Sequence, residues 1–185
     1  MQRQYFTLAP DNWYTNQVAI FATFRDKRGD SATRGQFGVV TTHLKAKSGY
    51  EQLRHSQGKY ILTYLEEHAR QLPVVVCGDL NASPDEAVNQ EFRQSTLDLA
   101  SAYTQVLSEN REPNFTTWKI RSGPGPDKPF LEVCKTIDYI YVSKERVNVH
   151  GVLDMPSETE IGPDRLPSHK YPSDHLSLAV DITFT

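Results

Sequence analysis

The sequence predicts an α/β fold. Three observations point to it: two apolar runs rich in β-branched and aromatic residues (Gln17 to Phe24 and Gln36 to His43), a long amphipathic helix after them, and a short unbroken apolar run, Val74-Val75-Val76-Cys77, after that helix. The first two runs flank the polar segment Arg25 to Arg34 and read as paired strands joined by a solvent loop. Between Tyr50 and Arg70, the residues Tyr50, Leu53, Tyr60, Ile61, Tyr64 and Leu65 follow helical spacing with polar residues opposite, and Pro73 ends the helix. Val74 to Cys77 does not alternate, as expected of a strand covered on both faces. Strand, helix, strand in that order is α/β. Ser83 then offers an N-cap, Pro84 a first helical position and Glu86 the far side of a capping box, so a second helix is expected from there to Gln94. Thr136 to Ser143 alternates, with Ile137, Tyr139 and Tyr141 on one face and Asp138, Ile140 and Val142 on the other, and Leu176 to Phe184 reads as a further strand. The stretch Arg121 to Lys128, with Gly123-Pro124-Gly125-Pro126 inside it, is a loop within one domain. The sum is at least five strands with helices packed outside them.

Composition narrows the function. The 185 residues suit one domain, and 20 Lys and Arg against 23 Asp and Glu give a net charge of −3, too balanced for a broad basic face that would coat itself with nucleic acid. Phosphate chemistry would therefore need a local cluster of cations. There is no apolar run of about 18 residues, and Met1 to Leu8 has neither a basic nor an apolar leader region, which argues against membrane-spanning and secreted classes. The two cysteines, Cys77 and Cys134, lack zinc-site spacing, so a reducing, cytoplasmic setting is expected, or a mitochondrial one if a longer N-terminus precedes.

Acids and histidines fall at strand ends. His43 follows Val39-Val40-Thr41-Thr42, Asp79 follows Val75-Val76-Cys77-Gly78, Asp138 shares a face with Ile140 and Val142, and Asp174-His175 precedes Leu176 to Val180. An unpaired buried carboxylate costs several kcal/mol, so these groups should pair with one another, with a metal or with turn N–H groups. Singly, each has an ordinary alternative as turn chemistry or a hydrogen-bonded core residue. Asp138 has less of one, since its face is otherwise aliphatic, and His175 is its natural partner.

In that order, Thr42-His43-Leu44-Lys45, Gly78-Asp79-Leu80-Asn81, Ile137-Asp138-Tyr139-Ile140 and Ser173-Asp174-His175-Leu176 resemble the motifs of the endonuclease/exonuclease/phosphatase superfamily. Thr116 to Arg121 and Ile161 to Ser168 resemble a branch of it related to mRNA deadenylases, and the similarity runs from Thr15 to the last residues. The resemblance implies a two-sheet α/β sandwich and a Mg²⁺-dependent phosphoesterase in which water attacks phosphorus in line. In that reading Asp79 orients or deprotonates the water and Asn81 donates to a phosphoryl oxygen. His43 and His175 stabilise the developing charge, Asp138 orients His175, and Asp174 together with Asp79 contacts the metal. Lys45, Lys47 and Arg121 would bind phosphate beside Asn81, whereas Lys119 reads as a solvated surface residue. The branch usually carries arginine where this chain has Lys47, so charge is kept and bidentate geometry is not.

The superfamily's upstream half carries a metal-binding glutamate and an active-site asparagine with no counterpart before Asn16; Met1 to Thr15 contains no Glu. Residues 1–15 are therefore expected to be a divergent or truncated N-terminus and 16–185 the C-terminal portion of a single domain. One apolar sheet face is then expected to lie open to water, with metal binding weakened. The branch implies removal of the 2′-phosphate of NADP⁺ or NADPH, which the few cations suit better than a long RNA track. The alternatives are a poly(A)-specific 3′ exoribonuclease, and, from another class, a non-catalytic fragment holding a phosphate with Asn81, His175 and Arg121.

Overall fold

A six-stranded sheet organises the chain. The computed structural model describes residues 2–8, 15–26, 35–122 and 130–185. The sheet contains β1 (Gln2–Thr7), β2 (Val18–Arg25), β3 (Gln36–His43), β4 (Val74–Asp79), β5 (Leu99–Ser101) and β8 (Asp138–Ser143), in the spatial order β1-β2-β3-β4-β8-β5. Only β3 and β4 run parallel, because α1 (Glu51–His68) crosses over between them; the other neighbours are antiparallel. Two ribbons complete it: β6 (Thr117–Arg121) with β7 (Leu131–Lys135), and β9 (Val147–Val152) with β10 (Val180–Phe184). The short helices are α2 (Ala87–Arg93), α3 (Ala102–Val106) and α4 (Glu158–Ile161). No described helix is long and apolar enough to cross a membrane.

Strand alternation sorts the core into two layers. Phe21, Val40, Val76, Tyr139 and Tyr141 face α1 and α2, packing on Ile61, Leu65, Val88 and Phe92. Val39, Val75, Ile140 and Val142 face the other way, onto Val147, Val149, Ile182 and Phe184 of the β9–β10 ribbon. Each such aliphatic side chain, fully buried, contributes about 1.5–3 kcal/mol. The expected open face is thus covered over β3, β4 and β8, while Tyr5 and Val18 at the β1–β2 end remain 68% and 46% exposed.

Several expectations meet corrections. The second helix begins at Ala87 rather than at Ser83: Glu86 does reach back to the Ser83 N–H at 3.0 Å, but its other oxygen is engaged by Arg54, so the turn before the helix serves a tertiary contact. The last strand begins at Val180, since the Leu176 N–H is spent on the Thr116 carbonyl at 2.8 Å. Strand β8 starts at Asp138, because the N–H groups of Ile137 and Asp138 turn to the Thr116 hydroxyl. Apart from these corrections, the expected divergent or truncated N-terminus, residues 1–15, contains the edge strand β1 at Gln2–Thr7. Most of the expected loops at 25–34 and 121–128 lie outside the described residues.

Candidate active site

Three neighbouring strands bring His43, Asp79 and Asp138 together. His43 and Asp79 end the parallel strands β3 and β4 in register, and antiparallel β8 sets its first residue, Asp138, opposite Asp79. Partners in register share a face, so one corner of the sheet collects all three. Gly78 permits this: at φ +144 a Cβ there would stand 2.0 Å from the Thr42 carbonyl oxygen, so only glycine lets the two strands approach just before the acid.

Asp79 accepts the Asn81 backbone N–H at 2.8 Å and lies 3.3 Å from His43 Nε2. Burial pushes its carboxyl above the usual range and the Asp138 charge opposite adds to that, while the Asn81 N–H and the two histidines oppose it. Asn81 sits in the left-handed region at φ 51, which asparagine tolerates, and its side-chain amide donates to the Leu44 carbonyl at 3.1 Å. His175 lies in a loop without regular structure, yet its Nδ1 is 2.9 and 3.1 Å from the Asp138 carboxylate oxygens. The hydrogen bond to that carboxylate raises the His175 pKa, against the effect of burial.

Strand β6 and the residue before it hold this pair, within the Thr116 to Arg121 stretch whose resemblance assigned no contacts to Thr116 or Thr117. Thr116, wholly buried, donates its hydroxyl to Asp138 Oδ2 at 2.6 Å and accepts from the N–H groups of Ile137 and Asp138. Thr117 donates to the Asp174 carbonyl at 2.6 Å, and Lys119 Nζ lies 2.5 Å from Asp174 Oδ2. Lys119 is therefore no solvated residue: it is 8% exposed, and it holds the Asp174 carboxyl below the usual range. A charge-assisted pair repays burial of the ammonium, which residue spacing alone does not reveal.

The cluster lines a cavity of about 670 Å³ together with Asn81, Asp174, Lys47 and Arg121, and Lys135 joins them there. Lys45 does not: its ammonium lies 4.8 Å from the Tyr50 ring centroid, and it lines a neighbouring hollow beside Thr41. A larger cavity of about 910 Å³, on the Trp118 and Cys134 side of the β6–β7 ribbon, contains none of the cluster's residues. Asp79, Asp138 and His175 each offer one ligand atom, all within 4.8 Å of one another, and form the group among the described residues that could hold a metal ion. Asp174 is outside that group, lines the same cavity and is paired with Lys119.

Residues 10–175 match the endonuclease/exonuclease/phosphatase family. The chain belongs to that family. Among curated relatives, human nocturnin is 44% identical over 174 residues, 92% of this chain and 38% of nocturnin's own length. The chain thus spans about two fifths of that relative. The Ccr4 subunit of Yarrowia lipolytica, a 3′–5′ exoribonuclease subunit of the CCR4-Not complex, is 32% identical over 135 residues, 64% of this chain and 18% of that protein. The structure of the human nocturnin catalytic domain with a bound sulfate anion superposes with a TM-score of 0.79 and 36% identity, covering 100% of this chain and 59% of that one.

Proposed function

We propose that the β3–β4–β8 corner of the sheet hydrolyses a phosphate ester of a nucleotide with Mg²⁺, and that the group removed is the 2′-phosphate of NADP⁺ or NADPH. The observation that supports it most is the in-register grouping of His43, Asp79 and Asp138, with His175 locked on Asp138, in a cavity that Lys47, Arg121 and Lys135 also line. A few cations around one cavity suit a single dinucleotide better than a long strand.

Asp79, its carboxyl held above the usual range by burial, orients the attacking water and takes its proton. Asn81 spends one amide hydrogen on Leu44 and has a second for a phosphoryl oxygen. His175, held with Nδ1 on Asp138, presents Nε2 as donor, and its raised pKa favours the doubly protonated ring that charge development on phosphorus requires. The two carboxylates of Asp79 and Asp138 suit a hard divalent cation, whose charge would relieve the repulsion between them, while His175, protonated on both nitrogens, donates hydrogen bonds rather than coordinating. When bound, that ion supplies Lewis-acid neutralisation of the phosphoryl oxygens.

The likeness to a Ccr4 exoribonuclease subunit favours a second reading, shortening of poly(A) from its 3′ end. Incubating the protein with Mg²⁺ and either NADPH or oligoadenylate decides between them. Phosphate release from NADPH supports the proposal, adenylate release from the oligomer supports the second reading, and phosphate binding with turnover of neither substrate identifies a binding fragment.

A further inference from the structure

Arg54 is the largest fully buried side chain among the described residues, 2% exposed, and every part of its guanidinium has a partner near the cavity. From α1 its Nε and Nη2 reach Glu86 Oε2 at 3.0 and 2.7 Å, and its Nη1 donates to the carbonyls of Lys45 at 3.0 Å and Lys47 at 2.9 Å. Glu86 in turn accepts the Ser83 N–H. One helical turn on, Gln57 accepts the Lys45 N–H at 3.1 Å. The two segments so gripped are the irregular stretches that follow His43 and Asp79, and they carry the cavity-lining Lys47, Asn81 and Ser83. Lys47 is held in the left-handed region at φ 80, unfavourable for a lysine without an anchor.

Burying a guanidinium is costly unless all its donors are used, and an apolar residue would fill the same space without that cost. What arginine adds is a planar fork that can serve a carboxylate and two carbonyls together, which lysine's single ammonium cannot match in geometry. We propose that Arg54 is a positioning residue: a latch that fixes the Lys45–Lys47 and Ser83–Glu86 segments as one unit, and thereby sets the affinity of the cavity for a phosphorylated ligand. Only the nature of the ligand rests on the phosphoesterase reading.

The test compares wild type with Arg54→Lys, Arg54→Met and Glu86→Gln, following amide hydrogen exchange, calorimetric binding of inorganic phosphate, and turnover of NADPH. The expected result for Arg54→Lys is exchange about tenfold faster at the Lys45, Ser83 and Glu86 amides with β4 and β8 unchanged. Phosphate affinity should fall about tenfold while kcat stays within about threefold. Glu86→Gln, which keeps a hydrogen bond to Arg54, should fall between. Where Arg54→Met does not fold, the lysine variant carries the comparison. Unchanged exchange at those three amides, or an even acceleration through β4 and β8 with phosphate affinity intact, overturns the latch. A wild-type protein that neither binds inorganic phosphate nor turns over NADPH overturns the functional reading instead, and exchange at the same amides still decides whether Arg54 couples the two segments.

Discussion

Replacing Thr116 by valine removes one hydroxyl and almost no volume. In the wholly buried site that hydroxyl makes three hydrogen bonds: it donates to the Asp138 carboxylate and accepts from two backbone N–H groups. A hydrogen bond to a charged group contributes about 1.5–3 kcal/mol, and stranding the half-buried donors costs about 1–3 kcal/mol, so Thr116→Val should destabilise the fold by about 2.5–6 kcal/mol. Thr116→Ser keeps the hydroxyl and loses a buried methyl, a cost of about 1 kcal/mol. Urea unfolding measures both. A second readout separates positioning from stability: Asp138 freed from Thr116 should grip His175 less well, so the His175 pKa, followed by NMR of its ring, should fall in the valine variant and recover in the serine variant. Turnover should fall about 10- to 100-fold, as when a partner that orients a catalytic ligand is removed. A valine variant within about 0.5 kcal/mol of wild type, with an unchanged His175 titration, would refute the assignment.

Asp79→Asn should lower kcat about 10²- to 10⁴-fold with little change in KM, and activity within about threefold of wild type in a phosphate-release assay removes Asp79 as the base. Asp138→Ala and His175→Ala should be strongly non-additive in rate, since the histidine contributes little once unoriented; multiplicative losses show that they act separately. Asp138→Asn removes the main cause of the raised His175 pKa, so the basic limb of the pH–rate profile should move to lower pH; in the wild type, the stability that this pair contributes is present below pH 6.5 and is lost as pH rises through the raised value. Glu112, half-buried with one buried oxygen unpartnered, has its pKa raised by that burial above the ordinary 4.5, so folding favours its protonated form and that contribution fades as pH rises through the raised value. Glu112→Gln should therefore gain thermal stability relative to wild type at about pH 8 and lose that advantage near pH 4; melting curves showing a constant difference would contradict it.

Much of the frame and half of the site were legible from local pattern. Helical spacing from Tyr50 found α1, the unbroken Val74–Cys77 run found β4, and alternation after Thr136 sorted Tyr139 and Tyr141 from Ile140 and Val142, because burial of one face imposes its period on the residues that supply it. The same logic marked His43, Asp79 and Asp138 as polar residues ending buried strands. Strands β6 and β7, with half-polar alternation, and the three-residue β5 carry no such signal.

Apart from the Asp138–His175 pair, which was expected from residue type, tertiary structure alone decided which of these groups touch. Thr116 meets Asp138 across 22 positions, and Lys119 meets Asp174 across 55. Lys45 turns to Tyr50 while Lys47, two positions on, lines the cavity. Residue type and spacing fix which side of an element is buried, because that depends on the element's own period. The partner of a buried charge depends on register between distant strands and on where an irregular loop is pinned. For the loop carrying Asp174 and His175, the pins are the Thr117 hydroxyl, the Lys119 ammonium and the Thr116 carbonyl rather than any periodicity of its own.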